Sequence, residues 1–144
     1  MASQPTKDAP WAPLFAAWLV ALGSTLAVLF IGEIMGQTPC VLCWYQRAFM
    51  FPLAVILAVA CYRGDGAVWR YALPLAVGGG AIAVWHTLVF SGLAPAALEP
   101  CGAGPSCSSA NMTILGGVPL PLLSVAAFGV IGVLLLMVRK KSLA

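Results

Sequence analysis

From Cys40 to Tyr62 the sequence reads CVLCWYQRAFMFPLAVILAVACY. From Ala48 to Tyr62 it carries no charged residue, and Arg47 is the one charge in the whole stretch. The stretch is apolar all round rather than along one stripe, so it suits a lipid environment better than the surface of a soluble domain. A bilayer core needs about 20 such residues to cross it as a helix. The sequence predicts a span over 43–62.

Three more stretches have the same character, over 11–31, 71–90 and 118–138. The whole chain of 144 residues is 62% hydrophobic and 8% charged, with a mean hydropathy of +1.01. A soluble domain of this size carries far more polar surface. The first stretch is too long for a signal peptide and precedes no small-residue cleavage site, so it reads as a span. The expectation is an all-α protein: one integral membrane four-helix bundle over 1–144, with outer loops 32–42 and 91–117 and no appended soluble domain. Pro52 and Pro74 lie inside spans and are expected to kink them. Small residues, Gly23 and Ala27, Gly78 to Ala81, Ala83, Ala126, Ala127, Gly129 and Gly132, are expected at helix contacts.

Basic residues set the orientation. Lys7, Arg63, Arg70, Arg139, Lys140 and Lys141 fall on one side of the four-span scheme, and only Arg47 falls near the other. Both termini are therefore expected in the cytoplasm. A net charge of +3, scattered as it is, does not suit a nucleic-acid binder. Four acidic residues and one His leave no carboxylate cluster for hydrolysis, and no resident metal is expected. Cys, Arg and His must carry any chemistry.

Cys40 and Cys43 form a Cys-x-x-Cys at the head of the second span, and Pro39 marks the helix start. Cys101 and Cys107 lie in the long Gly-, Pro- and Ser-rich loop on the same membrane side. Four thiols face outward, where disulfides persist. Cys61 is roughly 27 Å from Cys43 along the helix and reads as a small buried hydrophobe. At a helix N-terminus the free N–H groups favour a thiolate, and i, i+3 spacing puts both sulfurs on one face. Arg47, one turn deeper, adds positive potential. A soft-metal site or a snorkelling Arg47 are the plainer readings of each feature alone. A c-type haem site is excluded, because Trp44 stands where a His is required.

His86 is the chain's one histidine. It lies at the depth of Arg47, about 6 Å below the outer interface. With Trp44 and Trp85 nearby, the pair suits an aromatic head group with two carbonyl acceptors, such as a quinone. The plainer reading of His86 is an interhelical hydrogen bond. The loop pair Cys101–Cys107 closes a small ring, expected to be exposed and open to an incoming thiolate. By itself it reads as a loop clip; beside a Cys-x-x-Cys it reads as a relay.

Pro39-Cys-Val-Leu-Cys-Trp-Tyr-Gln-Arg47, Gly80-Ala-Ile-Ala-Val-Trp-His86, the paired loop cysteines and Val118-Pro-Leu-Pro-Leu-Leu-Ser124 together resemble the DsbB/BdbC family of disulfide bond formation proteins. The six-residue step from Cys101 to Cys107 is closer to the BdbC-like branch. The resemblance implies a bacterial cytoplasmic (inner) membrane protein whose active site faces the periplasm or exterior. It implies that the protein reoxidises an extracytoplasmic thioredoxin-like dithiol oxidase, DsbA- or BdbD-like, and passes electrons to ubiquinone or menaquinone. By motif, Cys101 would form the mixed disulfide with the partner, Cys107 would exchange with Cys40, and Cys43 would react with the quinone. Arg47, His86 and Trp44 would hold the quinone. A vitamin K epoxide reductase-like enzyme would place its Cys-x-x-Cys in the last spans. A non-enzymatic membrane metal-binding protein is the remaining alternative.

Overall fold

The computed structural model describes residues 10–95, 107, 113–114 and 116–144. Helix α1 spans Trp11–Leu29 and runs on into a π-helical turn, Phe30–Ile34. Helix α2 spans Val41–Arg63, α3 spans Trp69–Phe90 and α4 spans Leu120–Leu143. Two short antiparallel strands, β1 (Thr113–Ile114) and β2 (Val118–Pro119), pair just before α4. All four helices, with their attached turns, are long and apolar enough to cross a membrane. Helices satisfy every backbone group internally, as a chain in lipid must.

With the π turn and a short 3₁₀ turn, Gly66–Val68, that leads into α3, the helices run 11–34, 41–63, 66–90 and 120–143, a few residues off the apolar stretches. At the last span the chain stays extended through Val118–Pro119 and turns helical at Leu120, where a proline in the first turn costs no hydrogen bond. It then stays helical past the apolar core through Lys140 and Lys141. Pro52 and Pro74 sit inside unbroken helices. Helix α2 ends at Gly64, whose φ of 65° is left-handed and whose N–H reaches the Ala60 carbonyl.

Helix α1 packs against α2 and α4, and α3 packs against the same two, closing a ring of four. Leu14, Leu53, Leu57, Ile131 and Leu135 fill its centre. Ala17, Ala21, Ala72 and Ala83 are fully buried among them. The small residues divide into two groups. A Cβ on Gly79 would overlap the Phe128 ring, and one on Gly78 would come within 2.9 Å of Phe49. Those glycines seat aromatic rings from neighbouring helices. Gly23, Gly129 and Gly132 face open space, so the expectation of contact there is corrected. Their helices turn those positions away from the other described residues.

The two ends of the bundle differ chemically. At one end Arg70 and Arg139 both lie over the Trp69 ring, 5.9 and 5.1 Å from its centroid. Ser142 Oγ there donates to the Gly66 carbonyl at 3.1 Å. At the other end Cys40, Leu42, Val89 and Cys107 form a second, smaller buried cluster.

Candidate active site

Pro39 precedes Cys40, and Cys40 adopts an extended ψ of 172° as the cap of α2. Its carbonyl accepts the first helical bond, from Trp44 N at 3.1 Å. The helix then lifts Cys43 one turn on, and the Cys40 thiol points at it, Sγ to Sγ 3.3 Å. His86 comes across from α3. It is fully buried, and its Nε2 lies 3.7 Å from Cys40 Sγ. Its other nitrogen, Nδ1, lies 3.0 Å from Gln46 Nε2, and Gln46 is only 7% exposed. The described part of the site is thus a chain of contacts, Gln46, His86, Cys40 and Cys43, buried in its first three members and part-buried at Cys43.

Cys40 is 0% exposed and Cys107 is 3% exposed. The loop thiol was expected to be open to solvent. It is packed against Cys40 instead, in the small buried cluster at the head of α2. Cys101 lies outside the described residues. The Cys40 thiol is pushed up to about 12, first by its hydrogen bond to Cys43 and then by burial, while hydrogen bonds to His86 and Cys107 pull it the other way. Cys61 is partly buried and packs on the main core.

Arg47 does not point away into headgroups. Its Nη2 donates to the Val28 carbonyl of α1 at 3.1 Å, and its guanidinium lies 5.3 Å from the Trp44 ring centroid. Gly32, in the π-helical turn, makes room for it: a Cβ there would come within 3.2 Å of Nη2. A π turn locally widens the helix and redirects its carbonyls.

Below this lies a cavity of about 340 Å³. Cys43, Gln46, Arg47 and His86 supply its polar groups. Val28, Ile31, Met50, Leu123 and Phe128 supply much of its apolar wall. The proportion, many apolar side chains and a few convergent polar ones, is that of a small-molecule site. Cys43 is the described cysteine that lines it. Trp44 and Trp85 do not line it. Trp44 is 58% exposed and backs Arg47 from outside, because it sits one residue round the helix from Cys43. Gln46 is the residue that sequence reasoning missed. The available signal was an uncharged polar side chain three positions from Cys43 in an otherwise apolar helix.

Cys40 Sγ, Cys43 Sγ and a His86 ring nitrogen all lie within 4.8 Å of one another, close enough to share a soft metal ion. The sulfurs are also positioned for thiol–disulfide exchange, which needs only sulfur in reach of sulfur and a route for a proton.

A family model described as disulfide bond formation protein DsbB matches residues 10–138. A probable disulfide formation protein of Metapseudomonas resinovorans is 62% identical over 133 residues, 92% of each chain. Disulfide bond formation protein C of Bacillus subtilis is 39% identical over 115 residues, covering 80% of this chain and 83% of its own. A probable disulfide formation protein of Deinococcus radiodurans is 39% identical over 137 residues, 89% of each chain. No solved structure matches. Four apolar helices, a Cys-x-x-Cys with a loop thiol against its buried Cys40, and these matches agree: the chain belongs to the DsbB family of disulfide bond formation proteins, multi-pass membrane thiol oxidoreductases.

Proposed function

We propose that the protein oxidises an extracytoplasmic thioredoxin-like dithiol oxidase and delivers the electrons to a membrane quinone. One observation carries the reading: both sulfurs of the Cys-x-x-Cys lie at the Cys107 cluster, but Cys40 is the one hydrogen-bonded to Cys107 and Cys43 is the one that also opens on the cavity. A pair arranged that way can receive electrons from one side and release them on the other.

The exchange steps are those that the family resemblance implies, and the Cys40–Cys107 contact supports the second of them. A partner thiolate attacks Cys101 of a Cys101–Cys107 disulfide, and Cys107 leaves as a thiolate. Cys107 attacks Cys40 of a Cys40–Cys43 disulfide, and Cys43 leaves as a thiolate. The partner's second thiol releases Cys101, and Cys101 attacks Cys107 to restore the loop disulfide and free Cys40. The partner has then lost two electrons and two protons, and Cys40 and Cys43 have gained them. His86 Nε2 is placed to hold the proton at Cys40.

The cavity suits a quinone ring. Arg47 supplies a fork of N–H donors and His86 and Gln46 supply further polar groups for the two carbonyl oxygens. The apolar wall suits the ring and the first part of an isoprenoid tail. A quinone bound there supplies an acceptor for two electrons and two protons. In this reading the thiol end faces the periplasm or exterior and the basic end faces the cytoplasm of a bacterial inner membrane, and the basic bias supports that orientation.

Purified protein mixed with a reduced thioredoxin-like dithiol oxidase and a soluble quinone tests this. Quinone should be consumed one for one with partner dithiol. Partner oxidation with no dependence on any quinone would overturn the acceptor assignment.

A further inference from the structure

We propose that the reduced Cys40–Cys43 pair and His86 form a binding site for a thiophilic divalent cation, Zn²⁺ in kind, and that an ion held there blocks formation of the Cys40–Cys43 disulfide. The proposal rests on the geometry of the reduced pair and is independent of which electron acceptor the protein uses.

The ligand spacing is the first argument. A tetrahedral Zn²⁺ takes sulfur at about 2.3 Å and imidazole nitrogen at about 2.0–2.1 Å, which sets its ligand atoms about 3.5–3.8 Å apart. Cys40 Sγ lies 3.3 Å from Cys43 Sγ and 3.7 Å from His86 Nε2. All three ligand atoms fall within 4.8 Å of one another. Two of the three separations are already within a few tenths of an ångström of that spacing; the third, Cys43 to His86, closes by at most about 1 Å of side-chain rotation, with solvent as the fourth ligand. No helix has to move.

The second argument is the imidazole's outer partner. A ligating His is held by a hydrogen bond at its other nitrogen. Gln46 sits 3.0 Å from Nδ1. With its amide turned so that Oε1 accepts from Nδ1–H, the Nε2 lone pair faces Cys40. Oxygen and nitrogen of an amide are interchangeable in shape, so the site holds either orientation.

Charge is the third. Two thiolates and a divalent ion sum to zero, and His86 binds as the neutral ring. A buried site with no net charge avoids the penalty of an isolated ion in a low-dielectric setting. Binding releases the two thiol protons and transfers no electrons. In the disulfide form the sulfurs carry no thiolate charge and cannot ligate. Metal and disulfide are therefore mutually exclusive at one pair of atoms.

The test uses full-length protein in detergent, without partner or quinone, and Co²⁺ as an optical probe. Reduced protein should bind one Co²⁺ with a sulfur-to-cobalt charge-transfer band, and Zn²⁺ should displace it. The same protein oxidised at Cys40–Cys43 should show no such band; this comparison needs no variant and so no assumption about folding. Cys40→Ser and Cys43→Ser should lose the band, His86→Ala should weaken binding at least tenfold, and Cys61→Ser should match the parent. Zn²⁺ should slow diamide oxidation of the pair at least tenfold. The proposal is overturned if reduced protein shows no charge-transfer band, or if oxidised protein or Cys61-only thiolate binds as strongly. Equal affinity in well-folded His86→Ala would remove His86 from the site.

Discussion

Gln46 Nε2 lies 3.0 Å from His86 Nδ1, and both side chains are buried between α2 and α3. The contact fixes the imidazole plane and aims Nε2 at Cys40 Sγ. Because an amide offers a donor and an acceptor, Gln46 can pair with Nδ1 whether or not that nitrogen carries the proton. His86 can then give up or take a proton at Nε2 without leaving Nδ1 unpaired.

Gln46→Leu should therefore act on exchange at Cys40 as well as on stability. It keeps the volume and removes the partner of a buried nitrogen. Stability should fall by about 1 kcal/mol, the low end for an unsatisfied buried group, since interhelical hydrogen bonds in membranes are modest. Single-turnover oxidation of the partner should slow by about tenfold, a small share of what a positioned acid–base contributes. Gln46→Glu keeps a partner for Nδ1 and should retain more exchange activity. Stopped-flow partner oxidation, alongside thermal unfolding, measures both. Equal rates for Gln46→Leu and the parent would remove His86 from proton handling at Cys40.

The Arg47 guanidinium is held by the Val28 carbonyl and leans on the space that Gly32 leaves. Arg47→Lys keeps the charge but loses the fork, so the apparent KM for quinone should rise with part of the activity kept. Arg47→Gln should lose more. Gly32→Ala should displace the guanidinium from its seat and raise the quinone KM severalfold with Arg47 still present. Partner oxidation in a single turnover without added quinone should change less in all three. Steady-state kinetics over a quinone series checks this; an unchanged KM in all three variants leaves Arg47 as an anchor between α1 and α2.

The membrane bundle was legible in the sequence because hydropathy and length alone decide it. Four long apolar runs allow little else. The thiol end and the basic end were legible for the same reason: the spans alternate, so each loop's side follows from counting. What composition does not carry is the direction in which a side chain points around an all-apolar helix. Gly79 and Gly129 look alike in sequence, yet one seats Phe128 and the other faces open space. Gln46 and Trp44 both neighbour Arg47 or Cys43, yet Gln46 turns into the site and Trp44 turns out. Cys107 reads as exposed because its loop is Gly- and Ser-rich, and only the fold shows it buried on Cys40.

The glycine contrast is itself a prediction. Gly79→Ala should force the Phe128 ring to move, and Phe128 also lines the cavity. Overpacking of that kind costs about 1–3 kcal/mol. Gly129→Ala and Gly132→Ala meet nothing within 4 Å and should be neutral or slightly stabilising, since Ala is the better helix former. Thermal unfolding of the three variants in one detergent decides it. A Gly129→Ala loss as large as that of Gly79→Ala would contradict the packing.

Orientation has its own test. Reporter fusions after Ala67 and after Pro105 should report opposite sides, with the Arg63–Arg70 turn cytoplasmic and the 91–117 loop outside. Identical readings from the two fusions would break the four-span topology. Opposite readings with the loop inside would reverse the orientation and place the thiols in a reducing compartment.

The last prediction concerns which sulfur of the Cys-x-x-Cys meets the loop. Cys40 and Cys107 are buried in one cluster, and Cys43 turns towards the cavity. Serine at Cys43 and Cys101 leaves Cys40 and Cys107 with no other partner in their relay. Mild oxidation should then close a Cys40–Cys107 disulfide. Serine at Cys40 and Cys101 instead leaves Cys43 with Cys107, and that bond should close at least tenfold more slowly, because Cys40 and not Cys43 holds the hydrogen bond to Cys107. Replacing Cys61 by Ser in both backgrounds removes the remaining thiol. Peptide mapping without reduction identifies each crosslink, and gel mobility follows its rate. If Cys43–Cys107 forms as fast as Cys40–Cys107, the loop does not discriminate between the two sulfurs. The directional relay from loop to Cys40 to Cys43 then loses its structural basis.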